Sequence, residues 1–395
     1  MSNKFFTPLI VCSLASFMIL LIISQIIVTT IATQSGDRSL VMWANGLKKI
    51  DYKDQSNLVK KAWDRVNLYE QQISKLHLSS GMVISRSIID RKELDLCDSL
   101  LFSSIRFVAL TKLGFTRESE KAWTAIERSR KNGVWLRHPK CSRKSLSRDM
   151  LSGLLLALLQ NPPRSKDYLT NLVHQIDQKS GYFSNGPVYL SYLTPGLGKI
   201  IRMLSNFHGI SSDSFPDIVR QGYSTNELSV ILLKPGYEAH LAALALWIEL
   251  EIDSVLKIRE KPGILEKLFN SFVRPFSGGG FTAQSFSWTA KRLFEIDPQN
   301  LFFTYLRLRV AGAMNTITAS FLLEKLLEME QFPRHRLPSD CERRADYLWQ
   351  RASKGYQSRS MRCNVQYPGV DFIWMVSLLI KAMNPDILDE IRQIK

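Results

Sequence analysis

"SRDMLSGLLLALLQ", residues 147–160, decides how the chain is read. Ten consecutive residues, Met150–Leu159, hold no charge and only one hydroxyl, Ser152. A helix this apolar has no polar stripe to offer water and must be buried on nearly every side. Its first turn carries Arg148 and Asp149. Acidic residues are favoured at helix starts, where they offset the N-terminal dipole, so Asp149 is accounted for as a simple cap. A buried helix whose first turn is charged is equally accounted for if that turn faces a cavity. Both readings stay open at this level.

The same kind of helix recurs along the chain. Its members are 97–114 ("CDSLLFSSIRFVALTKLG"), 147–160, 194–209 ("TPGLGKIIRMLSNFHG"), 236–252 ("GYEAHLAALALWIELEI"), 300–313 ("NLFFTYLRLRVAGA") and 369–383 ("GVDFIWMVSLLIKAM"). A more polar, amphipathic segment precedes each: 57–79, 117–131, 165–179, 213–222, 261–273 and 318–330. The starts of the apolar members lie 50, 47, 42, 64 and 69 residues apart, too long and irregular for tetratricopeptide repeats. Period-2 alternation is sparse, so the chain reads as all-α. An open helical solenoid and a closed double ring both fit such a pattern.

Six alternations of amphipathic and apolar helix resemble the six-hairpin (α/α)6 toroid of many glycoside hydrolases and polysaccharide lyases. The resemblance spans residues 57–385 and rests on helix count and polarity. It implies an inner barrel of apolar helices, an outer amphipathic wall, and a funnel at the end where the inner helices begin. The residues it places on that rim are Asp98, Trp135, Arg137, His138, Arg148, Asp149, Tyr182, Asn185, Tyr189, Tyr192, Tyr237, Glu238, His240, Trp288 and Asp371. Aromatic faces stack on sugar rings, and carboxylates, Arg and Asn read hydroxyls or substrate carboxylates. Glycosidases need two carboxyl groups, one to protonate the leaving oxygen and one to activate water or attack the sugar. Asp98 and Asp149 open adjacent apolar helices and are the expected pair, with Glu238 and Asp371 as other partners. Tyr237 and His240 lie three apart on one helical face and suit proton transfer in a lyase acting on an anionic glycan. In the same frame the glycine-rich stretch "SGGGF", 277–281, is a rim loop next to Trp288.

The N-terminus is read independently of the fold. Residues 5–33 contain no charged side chain and exceed the roughly 20 apolar residues that span a bilayer. They read as an uncleaved signal-anchor, because the apolar core of a cleavable signal is shorter. The expected organisation is an anchor at 1–34, a linker at 35–56, the helical domain at 57–385 and a tail at 386–395. Lys4 precedes the span while Arg38, Lys48 and Lys49 follow it, so the positive-inside rule does not favour an outward C-terminus. Cysteine usage points the other way. Four cysteines lie outside the span, and on a toroid Cys97 and Cys141 fall at the rim in neighbouring hairpins while Cys341 and Cys363 share one loop. Two disulfides, Cys97–Cys141 and Cys341–Cys363, are expected, and with them an exported domain in the periplasm or outside the cell.

The net charge of +16 suits an acidic partner, here a glycan, and no nucleic-acid motif accompanies it. GxxxxGK[ST], HExxH and GxSxG motifs are absent, so P-loop, zincin and α/β-hydrolase chemistry lapse and neither cofactor nor metal is expected. Three functions remain open: a glycoside hydrolase, a polysaccharide lyase, and a non-catalytic membrane-tethered scaffold that binds protein or glycan.

Overall fold

The computed structural model describes residues 33, 35–47, 51–87, 89–141, 146–184, 192–211, 233, 237–256, 281–328 and 365–383. These form a mostly helical structure with a few very short strands. The expected membrane span at 5–33 lies outside the described residues except for Thr33. Among the described residues no helix is long and apolar enough to cross a membrane.

Helix α1, Tyr52–Leu76, starts where the Asp51 carboxylate accepts from the Asp54 N–H at 2.8 Å. It buries one stripe, Val59, Ala62, Trp63, Val66, Tyr69 and Ile73, at the three- and four-residue spacing of an amphipathic helix. Helix α2, Ser99–Leu113, is buried almost all round and ends at Gly114, whose φ of 78° suits the left-handed cap. The same contrast separates α3 (Thr116–Arg128) from α4 (Arg148–Leu159) and α5 (Ser165–Gln178) from α6 (Pro195–Phe207). Then follow α7 (Tyr237–Leu256), α8 (Phe281–Ile296), α9 (Leu301–Val310), α10 (Thr316–Glu328) and α11 (Val370–Ala382).

Contacts run from α2 to α4, α4 to α6, α6 to α7, α7 to α9, and onward through α10 and α11 back to α2. Helix α4 also touches α7, and the Trp247 and Trp374 rings of α7 and α11 meet edge to face at 4.7 Å. Helix α1 packs on α11 and α10, α3 on α2, α5 on α6, and α8 on α9 and α7. Helices α2 and α4 approach closely, and Gly153 is what permits it. A methyl group at that position would stand 2.7 Å from the Leu101 Cα, a backbone atom that cannot swing away.

Three features differ from the expectations. Residues 35–56 are not simply a linker: 35–46 are helical, and α1 already begins at Tyr52. Trp288 lies within α8 rather than in a loop, and α8 is the helix packed on α9, whereas the expected outer member at 261–273 lies outside the described residues. Short antiparallel ladders also appear between helices. Leu78–Ser79 (β1) pairs with Met82–Val83 (β2), and Arg130–Lys131 (β5) with Val134–Trp135 (β6). Ser85–Ser87 (β3) lies between Glu93–Leu94 (β4) and Val365–Gln366 (β7). Each is two or three residues long, below the length at which alternation becomes visible in a sequence.

Candidate active site at the N-terminal ends of α2 and α4

The connections that lead into α2, α4 and α6 begin alike. Each opens with a residue and a glycine in the left-handed region: Ser80-Gly81, Asn132-Gly133 and Ser180-Gly181. Two consecutive positive φ values make a type I′ turn, whose twist matches that of the strands it joins. Two residues after each glycine comes a buried apolar side chain: Val83, Trp135 and Phe183. In the first two connections the backbone closes identically, with Ile84 N–H donating to His77 O at 2.9 Å and Leu136 N–H to Ser129 O at 3.0 Å. The third departs. Tyr182 bridges to Tyr192 instead, which brings the two tyrosines together beside the start of α4.

Four of the expected residues gather around the start of α4. The Asp149 carboxylate accepts a hydrogen bond from the Ser147 hydroxyl, which is thereby drawn away from the usual capping role toward the helix N–H groups. Arg148 Nε donates to the Tyr192 carbonyl at 3.2 Å. The Tyr182 and Tyr192 rings meet edge to face at 5.0 Å, and the Tyr192 ring lies so close to Gly181 that a methyl there would be 2.9 Å from it. Ser184 Oγ accepts from Leu146 N–H at 2.8 Å and ties the end of the third turn to the residue ahead of α4. Arg148, Asp149, Tyr182 and Tyr192 are all partly exposed.

Asp98 stands at the N-cap of the neighbouring helix α2, also partly exposed. The two first turns are level, because Leu101 N–H lies 3.4 Å from the Met150 sulfur. A Cys97–Cys141 disulfide, with Cα atoms 5.3 Å apart, joins the start of α2 to the connection before α4. The first connection is sewn to α2 as well: Ser99 Oγ donates to Val83 O at 2.6 Å, and Val83 N–H donates to Ser103 Oγ at 2.8 Å.

The other expected residues fall elsewhere. Trp135 is buried with its ring edge against Tyr168, at the hairpin position that Val83 and Phe183 fill in the other two connections. Arg137 is buried next to it. His138 is fully buried and uses both ring nitrogens: Nδ1 accepts from Lys140 N–H at 3.0 Å and Nε2 donates to Ser79 O at 3.0 Å. That leaves a neutral ring joining two neighbouring connections, and burial lowers its pKa accordingly. Glu238 is exposed in the first turn of α7, and the Tyr237 side chain lies outside the described residues. His240 is buried, its ring 5.1 Å from that of Phe303. Asp371 is buried in the first turn of α11, with one carboxylate oxygen accepting from Phe372 N–H at 3.1 Å. Trp288 is partly buried in α8. Asn185, Tyr189, Cys341 and Cys363 lie outside the described residues.

The opposite ends of four apolar helices meet at Glu251. Lys112 of α2 reaches it at 3.1 Å, Arg309 of α9 at 2.7 Å and Lys381 of α11 at 3.4 Å. Each of these cations sits in the last turn of its helix, where positive charge also offsets the C-terminal dipole. Burial alone would raise the Glu251 carboxyl, but the three cations overcome it and hold the group at about 2. Burial outweighs Glu251 at Lys112 and pushes that amine down to about 8. No single motif announces this cluster, since its members are 112, 251, 309 and 381 in the chain.

Among the described residues no group of three or more His, Cys, Asp or Glu side chains is placed to hold a metal ion. No protein-family model matches the chain, and no curated protein or solved structure matches it either.

Proposed function

We propose that the chain is a membrane-anchored, glycan-active enzyme whose apolar helices form the inner ring of an (α/α)6 toroid, and that it hydrolyses a glycosidic bond with Asp98 and Asp149. The observation that carries this reading is the level placement of two partly exposed carboxylates at the starts of adjacent helices, the one on α4 next to Arg148 and the Tyr182–Tyr192 pair that Arg148 contacts. The circuit of helix contacts, which passes from α9 to α11 through α10, supports the ring, and the meeting of four helix C-terminal ends at Glu251 supports a common direction for those four helices. The disulfide supports an oxidising compartment, hence an inner-membrane protein with its C-terminal domain in the periplasm or outside the cell.

In this reading one carboxyl group protonates the leaving oxygen and the other activates water or attacks the sugar. Tyr182 and Tyr192 offer ring surface, and Arg148, fixed to the Tyr192 carbonyl, orients the substrate. Trp135 and His138 serve the fold instead, because the ring of the first is enclosed and both nitrogens of the second are used. The buried position of His240 weighs against a lyase that would use it as a base.

The test is a glycan-cleavage screen with the full-length chain in detergent, beside Asp98→Asn, Asp149→Asn and His240→Ala. A general acid or base contributes about 10²–10⁴-fold, so each Asn variant should lose that much turnover. Cleavage that survives both Asn variants ends the assignment of the pair. No cleavage of any glycan by the unaltered chain returns the protein to the scaffold class. Product stereochemistry then reports the carboxyl spacing: retention for about 5–5.5 Å, inversion for about 6.5–9.5 Å.

A further inference from the structure

The helical segment 35–46 follows the uncharged stretch 5–33 almost at once, and it is not free of the domain. Asp37 forms an ion pair with Arg307, which is itself almost wholly buried in α9. Ala44 is fully buried, and the Trp43 ring edge rests on Phe321 of α10 at 5.6 Å. Leu40 and Val41 pack against the core between these points. The inward side therefore takes up the segment's single carboxylate and most of its aliphatic side chains.

The outward side is what remains: Ser35, Arg38, Ser39, Met42, Trp43, Asn45 and Gly46. It carries one cation and no anion, and Lys48 and Lys49 follow in the chain. Met42 is 74% exposed and Trp43 41%, and these neighbours are two of only four large hydrophobic side chains that are exposed among the described residues. Met42 lies nine positions after Thr33, a rise of about 14 Å if the chain is helical at 1.5 Å per residue.

We propose that this face of segment 35–46 is a second membrane contact: Met42 and the exposed part of Trp43 sit at the headgroup level of a phospholipid bilayer, with Arg38 against anionic headgroups. The proposal rests on the reading of residues 5–33 as a membrane anchor. Indole rings favour the bilayer interface, where one edge is apolar and the other wet, and a cationic, carboxylate-free flank is attracted to acidic lipid. The Asp37–Arg307 pair gives the contact its consequence. It clamps the segment to α9, so the domain is held against the bilayer at one orientation instead of swinging on a tether.

The full-length chain tests this after reconstitution into phosphatidylcholine/phosphatidylglycerol vesicles, with a photoreactive benzoylphenylalanine placed at position 42, or at exposed Ile89 as the comparison. Flotation with the vesicles is scored first. The expected result is flotation of all forms and a lipid adduct at position 42 several-fold above that at position 89. Flotation with equal adducts at the two positions overturns the second contact while leaving the anchor in place. Crosslinking of position 42 to another copy of the chain overturns it in favour of self-association. Failure to float overturns the anchor reading and this inference with it.

Discussion

The two ends of the apolar helices are built on opposite principles. At their C-terminal ends Glu251 gathers Lys112, Arg309 and Lys381, and long-range ion pairs saturate a buried carboxylate. At the N-terminal ends of α2 and α4, partly exposed carboxylates stand among hairpin connections, a disulfide and the Tyr182–Tyr192 bridge. A charge buried with its partners holds helices in register, while a charge left at a helix mouth remains available for chemistry. The first end should respond to mutation in stability and the second in activity.

The sharpest way to break that contrast is Glu251→Gln. It leaves the nearly buried Lys112 and the adjacent Arg309 without their counter-charge, a loss of about 3–5 kcal/mol by analogy with other buried pairs. Chemical denaturation should show the drop, whereas Asp149→Asn should move the midpoint by no more than about 1 kcal/mol, the scale of a helix-end change. Similar losses from the two variants would mean that Asp149 belongs to the structural class.

Next in size is the Cys97–Cys141 bridge. It closes a stretch with a sequence separation of 44, and removing it through Cys97→Ser with Cys141→Ser should cost about 2–4 kcal/mol. Because the bridge joins the start of α2 to the connection before α4, that variant should also lose turnover, which Glu251→Gln should not do beyond its loss of folded protein.

Acid should separate the ends by pH. His77 precedes the first hairpin; burial lowers its imidazole to about 4 from 6.5, even though Nδ1 faces the Ile84 carbonyl at 3.2 Å. Between those values the unfolded chain takes up a proton that the folded one refuses, so stability falls as pH drops from 6.5 toward 4. The loss is about 2 kcal/mol at pH 5. Glu251, depressed to about 2, gives up its contribution only as pH falls from 4.5 toward 2. A stability profile should therefore slope first through the histidine window, and His77→Gln should reduce that slope to what His138 and His208, also lowered by burial, contribute while leaving the Glu251 window unchanged.

The smallest expected effect probes the geometry most directly. Gly153→Ala improves helix propensity by up to about 1 kcal/mol but drives a methyl against the Leu101 backbone, and overpacking costs about 1–3 kcal/mol. A net destabilisation measured by thermal unfolding is expected. A more stable variant would mean that α2 and α4 do not approach so closely, and the level placement of Asp98 and Asp149 would fall with it.

The sequence alone determined where the buried helices lie. All six apolar segments fall on helices within a few residues of their expected bounds, because a helix without a polar face has only one way to satisfy water. The charged first turn of α4 was legible for the same reason. The fate of individual polar and aromatic residues was not. Trp135 and Tyr182 are both aromatic and both follow a left-handed glycine, yet one is enclosed and the other half-exposed, since the parity of a two-residue strand settles which side faces in. His138 looked like a ligand-binding side chain until Ser79, fifty-nine positions away, supplied its acceptor. Glu251 and its cations carry no local signature whatever. Local pattern governs which segments must hide from water; only the three-dimensional packing governs which charges and rings meet, because those partners come from distant parts of the chain.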